Sequence, residues 1–105
     1  MNISSFSAYE PSRDFPVSSA LRAALGSFTI MYADRYAADE IRMNNVLPGY
    51  ADSYDVSDET IESIPMKRRA KTEAVADVVQ FLASDQASYA GQNLRVDGGL
   101  TRSIP

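Results

Sequence analysis

"TEAVADVVQFLASDQASYAGQNLRVDGG", residues 72 to 99, carries two kinds of local order in one stretch. Val75, Val78, Val79 and Leu82 recur at i, i+3, i+4 and i+7, the spacing that gathers side chains on one helical face. Thr72 stands where a helix N-cap belongs. Gly91 breaks the pattern, and Asn93 to Val96 reads as a short strand ended by Asp97-Gly98-Gly99. The helix is thus expected over Thr72–Ser84. A helix that feeds directly into a strand is the unit from which parallel sheets are wound.

The same alternation continues toward the N-terminus. "IRMNNVLPG", residues 41 to 49, predicts a strand over Arg42–Leu47 that Pro48-Gly49 stops. Ahead of it, Leu21, Ala24, Leu25, Phe28, Met31, Tyr32 and Tyr36 recur at helical spacing and predict a long helix over Ser19–Asp39, with Ser18 or Ser19 as its N-cap. A short helix is expected near Asp58 to Ile64, before Pro65, and a short strand over Met1–Ser4. Pro11 and Pro16 lie in a polar loop from about Phe6 to Val17. The order is strand, helix, strand, helix, strand, which predicts a parallel α/β sheet and excludes a hairpin between the last two strands.

Composition narrows the function classes. The 105 residues suit one domain or a piece of one, and 45% apolar with 23% charged residues matches an ordinary globular chain. A net charge of −4 argues against a nucleic-acid partner. The one basic cluster, Lys67 to Lys71, follows an acidic stretch from Asp52 to Glu62 and reads as solvated surface. With no cysteine and no histidine, disulfides, thiolate metal sites and the commonest general base are excluded. No apolar run is long enough to span a membrane, and no secretory signal is visible, so a cytoplasmic location is expected.

Three ordered stretches together resemble the second half of a short-chain dehydrogenase/reductase. "NISS" at 2–5 resembles the strand end that carries the family's catalytic serine, and "IRMNNVLPGY" at 41–50 resembles its "IRVNxVxPGx" strand. Residues 73–99 resemble its last helix and strand, which close with "GQxxxVDGG". The resemblance implies the C-terminal half of a Rossmann-type doubly wound sheet, a single partial domain over residues 1–105. The dinucleotide-binding half would lie upstream of Met1. It also implies hydride transfer between NAD or NADP and an alcohol or ketone. The implied partner is a second copy, docked through the helix at 19–39, or an upstream half of the same fold. Phe28, Tyr32 and Tyr36 on that helix serve either this contact or the core.

The resemblance also exposes a departure. The family's tyrosine follows its serine by thirteen residues and its lysine comes four later. Counted from Ser5, those places hold Ser18 and Arg22, and "RAAL" at 22–25 matches the family's "KAAL". A tyrosine can be brought toward working pH by a neighbouring cation, whereas a serine hydroxyl is too weak an acid for that rescue. An arginine keeps its proton, though its fork of donors can hold a ribose hydroxyl or a phosphate. Ser5 is either a donor to the substrate oxygen or a polar strand end. Tyr9 either folds over the site as a substitute acid or packs in its loop. The resemblance further implies cofactor contacts at Arg22, Pro48, Gly49, Tyr50 and Ser53, where a turn that merely ends a strand is the competing account. None of the five glycines forms the phosphate-binding fingerprint, so weak or no cofactor binding and an inactive chain are expected. The alternative is a non-catalytic relative that serves as a binding or oligomerisation module.

Overall fold

The computed structural model describes residues 1–104. Three parallel strands form one sheet in the order β1 (Asn2–Ile3), β2 (Asn45–Pro48), β3 (Asn93–Val96). Between β1 and β2 runs α1 (Pro16–Tyr36), and between β2 and β3 come α2 (Asp58–Ser63) and α3 (Thr72–Ala83). The expected order and parallel sense are both observed. β2 sits in the middle, and its Val46 and Leu47 are fully buried. Ile64, Leu82, Ala33 and Ala87 complete a small core on its faces.

Register is marked by three asparagines. Asn2 pairs with Asn45, and Asn45 pairs with Asn93 across the sheet. Their side chains are linked, Asn2 Nδ2 donating to Asn45 Oδ1 at 2.9 Å and Asn45 Nδ2 to Asn93 Oδ1 at 2.7 Å. Buried Thr29, from α1, joins at Asn45 Oδ1 (3.0 Å). Every amide in this row has a partner, the condition under which polar groups tolerate burial.

Several boundaries move from the sequence-based expectation. β1 is two residues rather than four, and β2 starts at Asn45, not Arg42. Arg42 instead turns its guanidinium to the end of α3, donating to Leu82 O (2.7 Å) and Ser84 O (3.1 Å). α1 begins at Pro16, ahead of both serines, because proline suits the first helical turn, where its lacking N–H costs nothing. Ser19 therefore does not cap the helix; its hydroxyl points inward and accepts from Ser12 N at 3.1 Å. α3 is preceded by Lys71, not capped by Thr72, and Thr72 N instead donates to Asp52 Oδ1 (3.2 Å). A 3-10 turn, Phe6–Ala8, interrupts the loop expected from Phe6 to Val17.

Of the two roles left open for the apolar stripe of α1, the core takes little of it: most of the stripe faces outward, with Leu25, Tyr32 and Tyr36 half-buried. Ser19, Thr29 and Ala33 are the buried residues of α1, all small, and of these Thr29 bonds to Asn45 of the sheet. Val17, Leu21, Phe28 and Met31, spaced four, seven and three apart, are 51–69% exposed. Tyr32 stacks between Phe28 and Tyr36, with centroids 6.0 and 4.6 Å apart, along the same helix. The periodicity identified a helix, but the face it marked is the outer one.

Candidate active site

The C-terminal ends of β1 and β2 open onto a cavity of about 430 Å³. Ligand crevices in open α/β sheets form at this end of the strands. Ser5 comes from the end of β1 and Ser18 from the first turn of α1, and both line the cavity. Phe6, Phe15, Tyr50 and Tyr54 provide aromatic walls, with Val56 and Asp55 at the side. The Tyr50 and Phe6 rings are 5.4 Å apart and tilted, a favourable aromatic contact.

Local sequence explains how the walls are held. Ser5 has extended backbone angles and caps the following turn, accepting from Ser7 N (3.3 Å) and Ser7 Oγ (3.2 Å). The segment after β2 is fixed by a parallel bridge between Ala51 and Ala70, with Ala70 N donating to Tyr50 O at 2.7 Å. Arg69 Nη1 then donates to Tyr54 O at 2.6 Å and lies 3.7 Å from Asp55 Oδ1. Across the loop, Glu10 accepts from Arg102 N, Ser103 N and Ser103 Oγ, which ties the C-terminal segment to the serine loop. Those backbone donors, Arg102 first, outweigh its desolvation and hold the Glu10 carboxyl below the usual range.

The spacing of Ser5 and Ser18 therefore does bring them to one cavity, together with Tyr50. The other candidates lie elsewhere. Arg22 turns to the edge of the sheet and donates from Nη1 to Ile3 O at 3.2 Å, on a groove beside Ser18 and Leu21. Pro48 and Gly49 end β2. A Cβ at Gly49 would sit 2.8 Å from Asp97 Cβ and 2.9 Å from Asp97 Cα, so the close approach of β2 to the end of β3 accounts for this glycine. Ser53 is exposed in the following turn and does not line the cavity. Tyr9 is committed elsewhere too: its ring lies under Arg95, with the guanidinium carbon 5.3 Å from the centroid. The sequence reading missed Phe6, Phe15, Tyr54 and Asp55 as cavity walls. Among the described residues no cluster of three or more metal-ligating side chains occurs, and no helix is long and apolar enough to cross a membrane.

A family model described as enoyl-(acyl carrier protein) reductase matches residues 1–101. An acetoacetyl-CoA reductase of Allochromatium vinosum is 36% identical over 90 residues, covering 78% of this chain and 37% of that protein. A cis-4-hydroxycyclohexanecarboxylate dehydrogenase of Sinomonas cyclohexanicum is 43% identical over 91 residues, covering 79% and 36%. Among solved structures, a short chain dehydrogenase from Bacillus anthracis superposes with a TM-score of 0.88 at 25% identity, covering 99% of this chain and 46% of that one. The acetoin dehydrogenase of Salmonella typhimurium gives 0.83 at 33% identity, covering 94% and 42%. The chain spans between about a third and a half of the length of these relatives.

Proposed function

The chain belongs to the short-chain dehydrogenase/reductase family, and from that premise we propose that its 105 residues form the substrate side of an oxidoreductase site, without turnover of their own. The observation that carries this reading is the pairing of Ser5 with Ser18 in one aromatic-walled cavity, while Arg22 is drawn away to Ile3 O. Two hydroxyls at that place can donate hydrogen bonds to a substrate oxygen. Neither has the acidity to deliver a proton as hydride moves.

The residues present do not fit a whole nicotinamide dinucleotide. No glycine-rich turn occurs among the five glycines, and Gly49, the one glycine near the cavity, is filled against Asp97 rather than left open to a ligand. The test is nicotinamide absorbance over a panel of secondary alcohols and ketones with NAD(H) and NADP(H). No rate above the uncatalysed background is expected, either for the natural sequence or for Ser18→Tyr with Arg22→Lys. Steady turnover that Ser5→Ala abolishes would overturn the proposal.

A second reading, a self-associating module, is favoured by the outward stripe of α1. The chain exposes 6897 Å², about 1,100 Å² more than the roughly 5,800 Å² typical of a monomer of its mass. That excess is larger than the ~800 Å² each partner commonly buries in a stable interface. A copy docked through α1 would cover Leu21, Phe28 and Met31, and the outer edge of β1 would take a further strand. Sedimentation over a dilution series decides between the readings: Leu21→Glu with Phe28→Glu should dissociate the assembly. A monomer at micromolar concentration before any substitution would exclude it.

A further inference from the structure

A second cavity, of about 240 Å³, lies between the end of β3 and the start of α3. Four cationic side chains line it: Arg68, Arg69, Lys71 and Arg95. The chain as a whole carries −4, so this is a concentrated reversal of sign. One carboxylate, Asp97, shares the lining, but its oxygens are already taken by Gly99 N (2.9 Å), Thr101 N (3.1 Å) and Thr101 Oγ1 (2.6 Å). Arg69 leans on Asp55 and Tyr54 O. Arg95 is engaged by Thr101 Oγ1 and Ser103 O. Among the described residues, no carboxylate lies within 4.0 Å of the charged nitrogens of Arg68 or Lys71. Glu73, in the adjacent first turn, faces Thr72 Oγ1 at 3.3 Å.

Two of the cavity's lining residues are tied together, Met66 N donating to Gly98 O at 3.1 Å. The positive end of the twelve-residue helix α3 opens onto the same rim and adds to the field. We propose that this cavity binds a phosphate group, free or as a monoester, through Arg68 and Lys71. A dianion matches the charge of the two cations that have no carboxylate partner, whereas a single carboxylate would leave half of that charge unmet. The volume of about 240 Å³ holds a phosphate with room for a small ester group beside it. The proposal is independent of the oxidoreductase reading, since the two cavities share no lining residue.

The test is titration of the 105-residue chain with inorganic phosphate at constant ionic strength, followed by backbone amide NMR. Saturable shifts confined to residues 66–74 and 95–99 are expected. Arg68→Gln with Lys71→Gln should weaken binding roughly tenfold, because two charge-assisted contacts are lost. Both side chains are exposed, so the fold is retained, and Lys67→Gln, whose ammonium is paired with Glu62 outside the cavity, should change nothing. Phenyl phosphate separates the sources: tighter binding than inorganic phosphate assigns the site to esters, and equal or weaker binding assigns it to the free ion. Absence of saturation, shifts centred elsewhere, an equal response to chloride, or undiminished binding by the double variant would each overturn the proposal.

Discussion

Gly49→Ala and Gly26→Ala should move stability in opposite directions. At Gly49 the added methyl would lie 2.8 Å from Asp97 Cβ and 2.9 Å from its Cα, where carbon atoms normally rest at about 3.5–4.0 Å. The nearest atoms belong to or adjoin the backbone, so the strand ends must part by roughly 0.7 Å or more. That motion also pulls on Gly49 N→Val96 O, now 3.0 Å. Overpacking of this kind costs about 1–3 kcal/mol, against which the stiffer unfolded chain returns about 0.4–1 kcal/mol. The net expectation is a loss of about 1–2 kcal/mol. Gly26 lies inside α1, where a Cβ would meet nothing within 4 Å. Alanine there should gain about 0.8–1.0 kcal/mol from helix propensity. Thermal unfolding by far-ultraviolet circular dichroism reads both. At one protein concentration, Tm should fall for Gly49→Ala and rise for Gly26→Ala by about 4–8 °C per kcal/mol. A Gly49→Ala chain that melts at or above the parent temperature would refute the close approach of β2 and β3.

Asn45→Ala removes the centre of the asparagine row and leaves Asn93 Oδ1 without its donor, while Asn2 Nδ2 keeps Thr29 Oγ1 and Thr29 Oγ1 keeps Leu25 O. Urea unfolding should show a loss of about 1–3 kcal/mol, and a loss below ~0.5 kcal/mol would mean the row contributes nothing. Acid titration of stability should expose Asp97 and Glu10. For Asp97, burial raises the pKa, but its bonds from Thr101 and Gly99 prevail and leave it lowered; Glu10 is lowered mainly by Arg102 N. With folded values below the unfolded ones of about 3.9 and 4.3, both stabilise above those values and lose that contribution as pH falls through the folded values. Asp97→Asn with Glu10→Gln should flatten the acid limb of the stability curve below about pH 5. An unchanged slope would show that these carboxylates do not govern acid unfolding.

The strands and helices were legible where side-chain period and punctuation agree. β3 matched residue for residue because Asn93–Val96 lies between Gly91 and Gly98, both at positive φ. β2 did not match: Arg42 and Met43 continue the apolar-polar run, but Arg42 has a better use at the end of α3. The start of α1 was hidden by two serines that look like caps and by a proline that looks like a breaker. Which face of α1 turns inward depends on what the sheet offers, and the asparagines of the sheet select Thr29 over Phe28. In the site, Ser5 and Ser18 were singled out by the family resemblance alone, and both line the one cavity. Phe6, Phe15 and Tyr54 come from loops without periodicity, so only the folded chain shows that their rings converge.

The asparagine row has a kinetic side. Its links join residues 43 and 48 positions apart, so each closes only after a long stretch of chain has been ordered. Pairings of such separation are slow to form, because loop entropy is lost before the contact returns anything. Amides are unforgiving at that moment. A strand that docks one residue out of step turns its asparagine to the opposite face and leaves its neighbour's amide buried without a partner. An apolar row would accept many slipped dockings almost equally well. This one penalises each, so the chain gives up some speed of folding in exchange for arriving at a single alignment.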